Sequence, residues 1–163
     1  MKLKKDALTS WISKILVMET DLNKIFSAQL AELPKDGDYY KKVKSYVDNY
    51  KKRKEVLEKS LDNLDEDPSK FKKVLAQFMG SIKGTLDNFR DDPVLYALVS
   101  DLGFLQHAIA FYRVTIVMAQ QLEKKEAQEP LQKNMQQHLK LAEFINDNFT
   151  DLVTGQFENK KDK

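Results

Sequence analysis

Prolines stand at four positions only, 34, 68, 93 and 130, and the chain carries five glycines in 163 residues. Breaks this sparse confine the chain to a few long elements. The runs between them carry a helical period. From about Ala7 to Leu33 the apolar residues are Leu8, Trp11, Ile12, Ile15, Leu22, Ile25, Phe26 and Leu30, which trace one face of a helix. Pro34 and Gly37 then break the chain. A second helix is expected from about Asp38 to Leu61, with the stripe Tyr39 or Tyr40, Val43, Tyr46, Val47, Tyr50, Leu57 and Leu61. Asp67-Pro68 and Asp92-Pro93 each pair a capping acid with a proline suited to a first helical turn. They open a third helix, weakened by Gly80 and Gly84, and a fourth from Pro93 to about Glu123. The last helix is expected from about Pro130 to Val153. No strand alternation and no fixed repeat occurs. The expected fold is all-α: a bundle of four long helices with a shorter one between the second and fourth. It forms a single domain over residues 1–155, followed by a polar, disordered tail over 156–163.

Cysteine is absent, which excludes disulfides and thiolate metal sites. Basic and acidic residues number 27 and 25, so no whole-protein field favours nucleic acid. Lys14 interrupts the apolar part of the N-terminus and no small-residue cleavage site follows, so a cytoplasmic location is expected. No apolar stretch reaches 18 residues without a charge or amide, and no membrane partner is expected.

The stretch FLQHAIAFYR, Phe104 to Arg113, places Gln106 and His107 inside the most apolar run of the chain. Two other polar residues lie on apolar stripes: Glu19 on the first helix and His138 on the last. On the second helix, Arg53 and Lys54 fill the gap between Tyr50 and Leu57. Counted outward from the turn near Lys35 and Asp36, Glu19 and Arg53 are about equally distant, so antiparallel packing brings them level. A lone buried carboxylate costs several kcal/mol, of order 3–5 when a partner is removed. Glu19 is therefore expected to pair with Arg53 or Lys54, with Gln106, His107 or His138 completing a polar layer. The fourth helix bears a second apolar stripe, and Phe104, Phe111 and Met118 on it are the expected homodimer face.

Asp92-Pro93-Val94, the apolar run after it and Ile109-Ala110-Phe111-Tyr112 resemble the YciE/YciF-like branch of the ferritin-like superfamily. The likeness covers roughly Leu8 to Val153. It implies a ferritin-like bundle, a di-iron or di-manganese site and a stress setting. Most of the implied ligands are missing. Glu19 keeps a carboxylate on the first helix. On the second, Tyr46-Val47-Asp48-Asn49 has Asn for the family's His, and Lys52 stands for the carboxylate that follows. Leu105, Gln106 and Ala108 occupy the Glu, His and Glu positions of the fourth helix, and Gln137 and His138 those of the paired carboxylates on the last. No Glu-x-x-His spacing occurs in the chain.

The leading expectation is a non-catalytic ferritin-like bundle with a degenerate site and no cofactor, acting as a structural or protein-interaction protein. The alternative is an atypical iron, manganese or zinc site at Glu19, His107 and His138. A third is nucleic-acid binding by KVKSYVDNYKKRK, where basic residues alternate with tyrosines. Such a run is more commonly one solvated helix face, so nucleic acid is disfavoured. No nucleophile elbow or phosphate-binding glycine loop supports an enzyme.

Overall fold

A computed structural model describes residues 5–64 and 93–161. All regular structure among these residues is α-helical. The helices are α1 (Lys5–Gln29), α2 (Asp38–Asp48), α3 (Tyr50–Asp62), α4 (Pro93–Gln121), α5 (Lys125–Asp147) and α6 (Phe149–Lys161). The expected third helix, with Gly80 and Gly84, lies outside the described residues.

Two helices expected to be continuous are interrupted, each at an asparagine. Asn49 separates α2 from α3 and its Nδ2 donates to the Ser45 carbonyl at 2.8 Å. Asn148 separates α5 from α6 and donates to the Phe144 carbonyl, also at 2.8 Å. In both cases a side-chain amide competes for a carbonyl of the helix ladder, the known reason Asn loosens helices. The last helix also begins before Pro130. Glu123 adopts a left-handed backbone with φ 57°, and the Lys124 N–H closes onto the Ala119 carbonyl at 2.8 Å. This C-cap ends α4 and lets α5 start at Lys125. At the other end, α6 runs on to Lys161.

Side-chain pairs define how the helices run. Glu19, Thr20 and Phe26 of α1 meet Arg53, Tyr50 and Tyr46, so numbers rise on one side as they fall on the other. Glu19 and Gln29 likewise meet Tyr112 and Asp101 of α4. Thus α1 is antiparallel to both α2–α3 and α4, and α3 and α4 are parallel. Leu64, just past α3, packs in a cluster with Leu8. Val94, at the start of α4, packs with Leu33 and Tyr39 at the opposite end. The chain leaves α3 at one end of the bundle and enters α4 at the other.

The core has two apolar halves. One contains Leu22, Phe26, Val43, Leu98, Leu105, Ala108 and Ile145. The other contains Leu8, Ile12, Ile15, Leu57, Ile116 and Leu131. Residues 94–121 of α4 are long and apolar enough to cross a membrane by length and composition. In the fold, α4 lies between α1 and α5, and Ala97, Leu98, Leu105, Ala108, Ile109, Tyr112 and Ala119 are buried. Burial accounts for part of that composition, and Tyr96, Val99, Val114 and Val117 remain exposed on the same helix.

Candidate functional site: a buried polar layer

Between the apolar halves lies a band of polar side chains. Glu19 and Arg53 are both 0% exposed, and Arg53 Nε donates to Glu19 Oε2 at 2.9 Å. Glu19 Oε1 accepts from the Tyr112 hydroxyl at 2.7 Å and faces His138 Nε2 at 2.7 Å. A carboxylate only accepts, so Nε2 carries a proton towards it. His138 Nδ1 meets the Tyr46 hydroxyl at 3.0 Å. Arg53 Nη1 donates to the Tyr46 carbonyl at 2.8 Å and to Gln137 Oε1 at 3.1 Å. The guanidinium lies 4.0 Å from the Tyr46 ring centroid, a cation–π stack. Asn134 Nδ2 donates to the Arg53 carbonyl at 3.0 Å. α1, α2, α3, α4 and α5 each supply a member of the layer.

The electrostatics follow from this enclosure. Burial would raise the Glu19 carboxyl, but the His138 ring, its hydrogen bond and the Arg53 guanidinium outweigh that and hold it at about 2. Burial would lower Arg53, yet Glu19 outweighs it and the guanidinium stays protonated. Burial and the Glu19 carboxylate push the phenols of Tyr46 and Tyr112 well above their ordinary value. These tyrosines therefore serve as neutral hydrogen-bonding groups.

A second buried carboxylate sits further along α4. Asp101 Oδ1 accepts from Gln29 Nε2 at 2.7 Å and Oδ2 accepts from the Tyr39 hydroxyl at 2.5 Å. No cation pairs with it among the described residues. Burial raises its carboxyl to about 7, against the lowering effect of the two hydrogen bonds.

The pairing of Glu19 with Arg53 and the inward position of His138 match the expectation from the helical stripes. Other assignments need correction. Gln106 and His107 are exposed, and the His107 ring packs against Phe111 at 4.8 Å between centroids. α4 is apolar on two faces, and these two residues fall outside the face that meets Glu19. Lys54 is partly exposed and pairs with Glu58 at 3.5 Å rather than with Glu19. Phe104, Phe111 and Met118 pack within the chain: Met118 is buried, Phe104 flanks one core cluster, and Phe111 lies 5.1 Å from Trp11. Sequence reasoning missed Tyr112, Asn134 and the Asp101–Tyr39–Gln29 cluster as polar core groups. The signal for Asp101 was visible, since it is an acid in the long apolar run.

A di-metal centre does not fit these donors. Glu19 has both oxygens engaged, and the layer offers only His138 as a further ligand type. Leu105 and Ala108, which occupy carboxylate positions in the resemblance, are buried apolar residues. Arg53 places a fixed positive charge where a divalent ion would need negative oxygens. Among the described residues no group of three or more His, Asp or Glu side chains could hold a metal ion.

The geometry defines an all-α bundle whose core is cut by an ion-paired polar layer. The chain belongs to the DUF892 family, a domain of unknown function that matches residues 4–158. No curated protein matches it. A crystal structure of a protein from Xanthomonas campestris resembles it with a TM-score of 0.77 at 17% sequence identity. That likeness covers 96% of this chain and 98% of the other, and speaks to fold alone.

Proposed function

We propose that the protein is a ferritin-like bundle that works without metal, as a structural or protein-interaction protein. One observation carries the proposal: the Arg53 guanidinium lies fully buried against Glu19, and supplies the positive charge that metal ions supply in ferritin-like sites. The path of the chain supports the fold assignment. Ferritin-like bundles have one long crossover connection, and here the chain joins opposite ends of the bundle between α3 and α4. The test is metal content after purification without chelator and after loading with Fe²⁺, Mn²⁺ and Zn²⁺. No retained metal is expected. Near-stoichiometric metal that disappears in His138→Ala would overturn the proposal.

The interaction role has its own support on α4. Tyr96, Val99, Val114 and Val117 are exposed large apolar residues, Val99 at 67% and Val117 at 53%. Gly103 and Ala110 are exposed on the same helix. Positions 96, 99, 103, 106, 110, 113 and 117 alternate steps of three and four, the spacing of a seam that receives another helix. Among the described residues a Cβ at Gly103 would meet nothing within 4 Å, so none of their contacts requires glycine there. We assign this face, in place of Phe104, Phe111 and Met118, to self-association with a second copy. Sedimentation at several concentrations checks it: a monomer at every concentration would exclude it.

A further inference from the structure

The sequence KVKSYVDNY contributes Lys42, Ser45, Tyr46 and Asn49 to one wall of a cavity of 380 Å³ between α2 and α5. Gln137, Lys140 and Leu141 form the other wall. This volume is at the lower end of the range for small-molecule sites, roughly 300–1,000 Å³. The cavity lining contains two cations and no carboxylate. Two acids on the same helix as Lys42 are already paired: Asp38 with Lys41 at 3.0 Å and Asp48 with Lys44 at 2.6 Å. No salt bridge engages Lys42 or Lys140 among the described residues, although the Lys42 ammonium lies 5.3 Å from the Phe144 ring centroid.

The buried layer sets the neutral donors of this cavity. Arg53 can only donate, so Gln137 must present its carbonyl oxygen to Nη1, and its NH₂ group is left on the other side of the amide. Gln137 is only partly buried and lines the cavity, so it joins the core layer to the surface. Asn49 gives one amide hydrogen to the Ser45 carbonyl, and no hydrogen bond engages the Ser45 hydroxyl among the described residues, so it is a second neutral donor. Two ammonium groups, an amide NH₂ and a hydroxyl therefore surround one cavity. No arginine fork is present to match a planar carboxylate, and lysines acting as point charges suit a tetrahedral oxyanion.

We propose that this cavity binds a small phosphorylated molecule. Lys42 and Lys140 neutralise the phosphate, Gln137 and Ser45 hydrogen-bond it, and Leu141 contacts the attached organic part. The proposal is independent of the metal-free reading of the bundle, since it uses the surface of the layer and not its interior.

The test is an amide chemical-shift titration of the full chain with inorganic phosphate, then with glycerol 3-phosphate, against sodium chloride at matched ionic strength. The expected result is a saturable shift confined to residues 42–49 and 137–141, with tighter binding of glycerol 3-phosphate. Lys42→Ala and Lys140→Ala should each weaken binding about tenfold, the loss of one charge-assisted contact. Ser45→Asp should abolish it. All three positions are exposed, so the fold should persist. Shifts equal to those from chloride, or unchanged by Lys140→Ala, would overturn the proposal. So would a single-stranded oligonucleotide that binds more tightly with each added nucleotide and depends on Lys51 and Lys52, because that is nucleic-acid recognition.

Discussion

Arg53 and Glu19 form a hydrogen-bonded ion pair, 2.9 Å from Nε to Oε2, with neither side chain reaching solvent. Each charge was removed from water, and each offsets the other's desolvation. The pair is worth little compared with two apolar residues, but it is costly to break.

Removing one member should expose that asymmetry. Arg53→Met is expected to destabilise the protein by about 3–5 kcal/mol, because Glu19 would remain buried without its cation. The double variant Glu19→Leu with Arg53→Met should recover most of that loss. Urea denaturation of the two singles and the double gives the coupling. Additive losses would mean that the two residues do not act as a pair.

Acid should attack the same pair. Glu19 is held at about 2 when folded, against an ordinary value of 4.5. A depressed carboxyl adds stability that is fully present above 4.5 and is lost as pH falls towards 2. Stability measured between pH 5 and pH 2 should fall, and Glu19→Gln should flatten that part of the profile.

Asp101 has the opposite sign. Its carboxyl is raised to about 7 from an ordinary 3.8, so the folded state holds a proton that the unfolded chain has released. Its contribution is therefore greatest below 3.8 and declines as pH rises to 7. Asp101→Asn is expected to remove that decline and to be at least as stable as the parent at pH 8. A variant that unfolds more readily at pH 8 would show that the ionised carboxylate is needed.

The two histidines should behave differently. His138 is fully buried and bonded at both ring nitrogens, whereas His107 is exposed. His138→Ala should cost about 2–4 kcal/mol through a cavity and unmet partners. His107→Ala should stay within about 0.5 kcal/mol, as surface changes do. Thermal unfolding of the two variants separates these outcomes.

The legible parts of the sequence were those governed by local rules. The Pro34–Gly37 turn fixed where α1 and α2 reverse, and counting from it placed Glu19 level with Arg53. The start of α4 followed from Asp92-Pro93. The helix interruptions at Asn49 and Asn148 were not legible, since a side-chain amide bonding four residues back leaves no compositional mark. The facing of α4 was also obscured. A helix apolar on two sides has no single stripe, so Gln106 and His107 read as interior while Tyr112 fell on neither expected stripe. Which side faces α1 depends on tertiary packing, and Tyr112 reveals it only through its bond to Glu19.

Apolar helix faces tolerate sliding, because one leucine replaces another a turn away. Hydrogen-bonding groups do not. Shifting α4 along α1 by one turn, about 5.4 Å, would carry the Tyr112 hydroxyl out of reach of Glu19 and Asp101 away from Gln29 at the same time. Shifting α5 would part His138 from both Glu19 and Tyr46. The layer thus works as an index mark for the assembly, admitting one axial alignment of the helices among several that the hydrophobic effect alone would accept.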